Sequence, residues 1–328
     1  MTTNTKKERI PEFDMFKGVA IVLVVCGHIL SRNWENVIDN HPVYTWIYSF
    51  HMPLFFFISG YLIDYTAGSR SICYGLKKKA LSLLVPYFIW CFAIAPFING
   101  AKLPSVIYVT TNADYRYWFI YLLFLFSCIY YVGKLVFNKR YCCGGIIIAI
   151  AIFGVGQLLY PCDIFSRGLQ FVLIYFFGVW ASKTNLNEKA EIFKEPLLSL
   201  VLFAFIISSI SYCHHDIEYL NKACKLISSF SICYIALYYI NNHSINMNNK
   251  VVKMISFIGN NSIVIYLTHF FFLQITSIAF MPKISLNPFW SFFISLAISI
   301  VIIAVCLLLG KIVERFKWFN RLVYGRGW

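Results

Sequence analysis

Ten stretches of mostly apolar residues run through this chain, at 13–31, 45–65, 80–98, 117–137, 142–160, 165–182, 196–213, 223–240, 258–279 and 289–310. Roughly 20 such residues suffice for a helix to cross the hydrocarbon core of a bilayer. In that medium only helices and closed barrels satisfy their own backbone. The runs are continuous rather than alternating, so the strands of a membrane barrel are excluded. The expected fold is therefore all-α, a polytopic integral membrane bundle of about ten transmembrane helices. Charged residues make up 13% of the chain and hydrophobic residues 59%. Soluble domains carry about 25% and 45–50%, so a water-soluble enzyme, a disordered chain, a coiled coil and a nucleic-acid-binding domain are all excluded.

An even number of spans places both termini on one side. If that side is cytoplasmic, 21 of the 28 Lys and Arg fall inside or at inner helix ends. Only Arg32, Lys102, Arg116, Arg167, Lys222, Lys225 and Lys283 fall outside. Positive residues concentrate on the cytoplasmic side, so both termini are expected there. The net charge of +14 is then mostly a topology signal. Glu8, Glu12 and Asp14 lie before or at the start of the first run and no small-residue cleavage site follows it, which predicts a retained span rather than a removed signal. Loops are short, and residues 1–328 are expected to form a single membrane domain with no appended soluble domain.

Ionisable groups inside spans are costly and point to function. Asp14, Lys17 and His28 lie in order on the first span. Lys17 and His28 are eleven residues apart, three helical turns, and so share one face about 16 Å apart. Asp14 is one turn before Lys17, within reach of its ammonium. His51 opens the run His51-Met52-Pro53 on the second span, at a depth similar to His28. Pro53 frees a backbone carbonyl and is expected to kink that helix. Ser262, Tyr266 and His269 are spaced i, i+4, i+7 and line one face of the ninth span. Lys77, Lys78 and Lys79 open the third span, where they serve topology or clamp the phosphates of a cytosolic donor. The eleven cysteines are scattered without a CxxC pair and read as small core-filling hydrophobes, although Cys162 and Cys213 both fall near the outer face and could pair. His214-His215-Asp216 lacks a further ligand at suitable spacing, so no metal site is expected.

Taken in order, these residues resemble a known family. Asp14-Met15-Phe16-Lys17-Gly18 and the run ending in Gly27-His28 are similar to the opening of the acyltransferase 3 family of integral membrane acyltransferases. The likeness continues through His51-Met52-Pro53, Ser59-Gly60-Tyr61-Leu62, the lysines leading to Pro86-Tyr87, and Tyr117-Trp118-Phe119. It ends with Gly259 to Ser262, Tyr266-Leu267 and His269. The subgroup of closest likeness is the sugar O-acetylases. Many relatives have Arg at the position of Lys17 and in the basic cluster, and lysine lacks the bidentate fork of arginine.

The resemblance implies a membrane O-acyltransferase in the bacterial inner membrane, multi-pass, with a role in polysaccharide biosynthesis. It would move an acetyl or other acyl group from cytosolic acetyl-CoA to a hydroxyl of a cell-surface glycan or a lipid-linked oligosaccharide precursor. His28 is the expected general base, since an imidazole accepts a proton near neutral pH. Lys17, held by Asp14, and Lys77, Lys78 and Lys79 would hold or polarise the donor. His51 and His269 would orient His28 or the acceptor, or relay the proton. Tyr266 or Ser262 could instead carry the acyl group covalently. Membrane lipids are the other expected partner, and nucleic acid is not one. A rival class is a proton-coupled transporter with His28, His51 and Asp64 as relay; a lipid-linked glycan flippase or polymerase is a third.

Overall fold

The computed structural model describes residues 9–33, 41–67, 71–94, 104–111, 116–183, 195–212, 218–242, 245–279 and 287–328. All regular structure among them is helical. The order is α1 (Pro11–Asn33), α2 (Pro42–Ala67), α3 (Ile72–Lys79), a π-helical turn (Ala80–Leu84), α4 (Val85–Ile89) and a second π-helical turn (Trp90–Ile94). Then come α5 (Val106–Thr111), α6 (Trp118–Phe137), α7 (Tyr141–Leu159), α8 (Asp163–Lys183), α9 (Glu195–Tyr212) and α10 (Glu218–Asn241). The chain closes with α11 (Lys250–Asn260), α12 (Ser262–Ala279), α13 (Pro288–Glu314) and α14 (Lys317–Tyr324). Six helical stretches among the described residues are long and apolar enough to cross a bilayer, and a seventh if α11 and α12 form one bent span. The described residues are those of an all-helical membrane protein.

Two compact units divide the chain, one of residues 1–58 and 182–305, the other of 59–181 and 306–328. In the first, α1 and α11 meet backbone to backbone. A Cβ on Gly259 would overlap the carbonyl of Asp14, and one on Gly18 would overlap that of Ile255. Hydrogen is the only side chain that this crossing admits.

Three local features shape these helices. The ninth run is broken: α11 and α12 meet at 75° around Asn261, whose amide donates to the Phe257 carbonyl at 2.9 Å. Asn at that point offers the chain a side-chain alternative to the helical ladder. At Pro53, α2 runs on as one helix. The missing N–H removes the usual i+4 donor to the Ser49 carbonyl, and the Ser229 hydroxyl of α10, whose shorter contact is with the Lys225 carbonyl at 2.6 Å, also lies 3.2 Å from it. The third run is helical from Ile72 and widens into π turns on both sides of Pro86, a relaxation that lets helices carry an inserted irregularity.

Candidate functional site

The first unit opens with an ion-pair cluster at the start of α1. Asp14 lies in the first helical turn, where a carboxylate complements the helix dipole. Its Oδ1 takes Lys17 Nζ at 2.6 Å and its Oδ2 takes Arg9 Nε at 2.5 Å. Asp14 is buried, while the Lys17 side chain keeps 21% of its surface exposed. The helix spacing that predicts this pair therefore forms it, and leaves the ammonium within reach of a further anion.

Three imidazoles and a phenol gather around α1, α2 and α12 of the same unit. His51 Nδ1 lies 2.6 Å from the Ile47 carbonyl, and His269 Nδ1 lies 2.9 Å from the Ile265 carbonyl. A carbonyl only accepts, so in both rings Nδ1 bears the proton and Nε2 bears the lone pair. The same i−4 tether sets both tautomers. His269 is fully buried, and its Nε2 has no hydrogen-bond partner among the described residues. Leaving such an atom unmatched costs about 1–3 kcal/mol.

His28 stacks on His269, with ring centroids 5.4 Å apart and planes at 29°. Phe270 closes one side of this pair, at 4.7 Å from the His28 ring and 4.3 Å from that of His269. His28 itself is only half-buried. Its Nδ1 lies 3.4 Å from the Tyr48 hydroxyl, and the Tyr48 ring meets His51 edge-on at 4.8 Å. Tyr48 thus joins the two histidines expected to share one depth. Tyr266 follows on the same face of α12, its ring 6.0 Å from that of His269. Ser262 is the first residue of α12, at the bend and half-buried.

In the second unit, Lys77 and Lys78 end α3 exposed, and Lys79 is the most enclosed of the three. Burial pushes the Lys79 ammonium down to about 8, and the charge on Lys78 adds to the shift. Asp64 accepts hydrogen bonds from the hydroxyls of Tyr130, at 2.8 Å, and Tyr141. No group of three or more His, Cys, Asp or Glu among the described residues is placed to hold a metal ion. Cys213 and His214-His215-Asp216 lie outside the described residues.

Tyr48, Phe270 and Ser229 are the members of this neighbourhood that motif reading passes over. Tyr48 had a signal: it sits three residues before His51, one turn away on the same helix face. Phe270 and Ser229 had none, because an aromatic or a hydroxyl in an apolar run is ordinarily packing.

Residues 10–309 match the family model described as an acyltransferase domain. The chain is also similar to the nodulation protein NolL of Sinorhizobium fredii, with 34% identity over 179 residues, 48% of each chain. A second NolL, from Mesorhizobium japonicum, is 34% identical over 122 residues, 34% of this chain and 33% of the relative. The matched region thus spans half or less of these relatives' own length.

Proposed function

The chain belongs to the acyltransferase 3 family, and on that premise we propose that it is an integral membrane O-acyltransferase. Its acyl donor is cytosolic acetyl-CoA, and its acceptor is a hydroxyl of a cell-surface glycan or of a lipid-linked precursor. The observation that carries this reading is the buried, unpartnered Nε2 lone pair of His269 stacked beside half-buried His28. A basic nitrogen held out of water with nothing to bind fits a site that a hydroxyl-bearing substrate completes.

In this mechanism the His28 Nδ1–H donates to Tyr48 Oη, which leaves Nε2 to accept the proton of the acceptor hydroxyl. The hydroxyl oxygen attacks the thioester carbonyl, the carbon–sulfur bond breaks, and the departing thiolate takes the proton from His28. His269 Nε2 accepts a hydrogen bond from the acceptor and so orients it, and His51 steadies the Tyr48 ring. Lys17, braced by Asp14, contacts the donor phosphates, as do Lys77, Lys78 and Lys79; each acts as a point charge. Tyr266 or Ser262 serves as a covalent acyl carrier if transfer proceeds in two steps. The topology that goes with this reading has ten spans and both termini in the cytoplasm of a bacterium, the protein lying in the inner membrane.

Membranes containing the protein, supplied with radiolabelled acetyl-CoA, are expected to yield labelled glycan. Label absent from every glycan and lipid-linked fraction, with the protein correctly inserted, refutes the reading. A change in glycan length with acetylation intact would point to a flippase or polymerase instead.

A further inference from the structure

The C-terminal helix α14 has two unlike faces. Val323 and Tyr324 are buried. The Val323 carbonyl accepts the Trp90 indole N–H at 2.9 Å. Just beyond, Gly325 adopts φ +64° and lies so close to the Ser82 carbonyl that a Cβ would overlap it. This end is therefore fixed at Ser82 and Trp90, on the helical stretch that also carries the lysine cluster.

The other face is open, as are the last turn of α13 and the two residues that join it to α14. Trp318 is 70% and Phe316 63% exposed, and Ile312, Phe319 and Leu322 accompany them. Lys311, Arg315 and Lys317 are exposed among these apolar groups. The Arg321 guanidinium lies over the rings of Trp318 and Trp328, at 5.2 and 5.6 Å. From Lys311 to the C-terminus there are five basic side chains against the single acid Glu314, which pairs with Arg326 at 3.0 Å. Exposed tryptophan and phenylalanine beside unopposed lysine and arginine, directly after a long apolar helix, is the chemistry of a bilayer–water interface.

We propose that α14 and the end of α13 before it lie in the cytoplasmic leaflet and bind anionic lipid headgroups through Lys311, Arg315 and Lys317. Through Gly325 and Val323 the same helix holds the stretch carrying Lys77 to Lys79. Anionic lipid is then a positive regulator of donor binding. The occupant is the membrane surface because the patch is both apolar and cationic, and the inner leaflet supplies both counterparts. The regulatory part rests on the donor role proposed above for the lysines, and the lipid-binding part does not.

The full-length protein in nanodiscs of phosphatidylcholine, alone or mixed with phosphatidylglycerol, provides the test. Backbone amides of residues 317–324 are expected to exchange at least about fivefold more slowly in the mixed bilayer, the effect of one cation near an anionic surface. The triple variant K311Q/R315Q/K317Q should abolish that difference. Equal exchange in both bilayers, a difference that survives the triple variant, or protection that follows protein concentration instead of lipid overturns the lipid-binding part. For the coupling, Gly325→Ala should keep the lipid-dependent protection and raise the acetyl-CoA KM several-fold. An unchanged KM refutes the coupling. Neither exchange measurement depends on acyl transfer, so failure of the proposed reaction would be seen separately.

Discussion

Replacing His28 by Ala removes the nitrogen assigned to proton abstraction, and the expected loss in kcat is about 10²–10⁴-fold. The Tyr48 contact scales differently. At 3.4 Å it is well beyond the usual hydrogen-bond distance of about 2.9 Å. Its net worth is therefore at the low end of the normal range, about 0.5 kcal/mol, or roughly twofold in rate. Tyr48→Phe keeps the ring that packs against His51 and should cost only about that much. The assay is transfer from radiolabelled acetyl-CoA to glycan by protein in nanodiscs, with thermal unfolding as a control on folding. The two variants should differ by at least about fiftyfold on these estimates. Near-normal turnover in folded His28→Ala would refute the base assignment. Equal large losses in both variants would move the proton chemistry to Tyr48.

Ser229→Ala removes a hydroxyl that contacts the Lys225 carbonyl at 2.6 Å and the Ser49 carbonyl at 3.2 Å, and should destabilise the protein by about 0.5–1.5 kcal/mol. In a Pro53→Ala background the restored N–H should reduce that cost to under about 0.5 kcal/mol, read by thermal unfolding of the four proteins in the cycle. Gly259→Ala should cost about 1–3 kcal/mol or more by prising α1 from α11. Gly154→Ala in α7 meets nothing within 4 Å and should be neutral or mildly stabilising in the same melt. Lys79 is protonated below about 8 and neutral above it, so the acetyl-CoA KM should rise as pH passes upward through that value. Lys79→Arg, which stays charged, should remove the inflection; a flat wild-type profile from pH 7 to 9 would exclude Lys79 from phosphate binding.

Apolar runs made the helices legible, because a bilayer-length run of apolar residues has few other outcomes. The Asp14–Lys17 pair was legible for a similar reason: i, i+3 spacing on a helix leaves the two side chains little choice. The break at Asn261 was not read, since hydropathy averages over the residues where a helix changes direction. Nor was α14, which is too short and too charged to register as a span. Tyr48 bridges His28 and His51 from one turn away, yet phenol and imidazole carry no shared motif. The contact of Gly18 and Gly259 with facing carbonyls was also hidden, because a glycine in an apolar helix looks the same whether or not another backbone touches it. His269 was named from its spacing, but its empty Nε2 is a property of burial, which only three dimensions reveal.

The tethering of His51 and His269 to carbonyls of their own helices has an evolutionary side. Each imidazole draws its tautomer and aim from a residue four positions earlier, through a backbone atom that no substitution deletes. Neighbouring helices could then exchange side chains without turning either ring over. The aim of these two imidazoles would be inherited with the helix that carries them, whatever drifts around it.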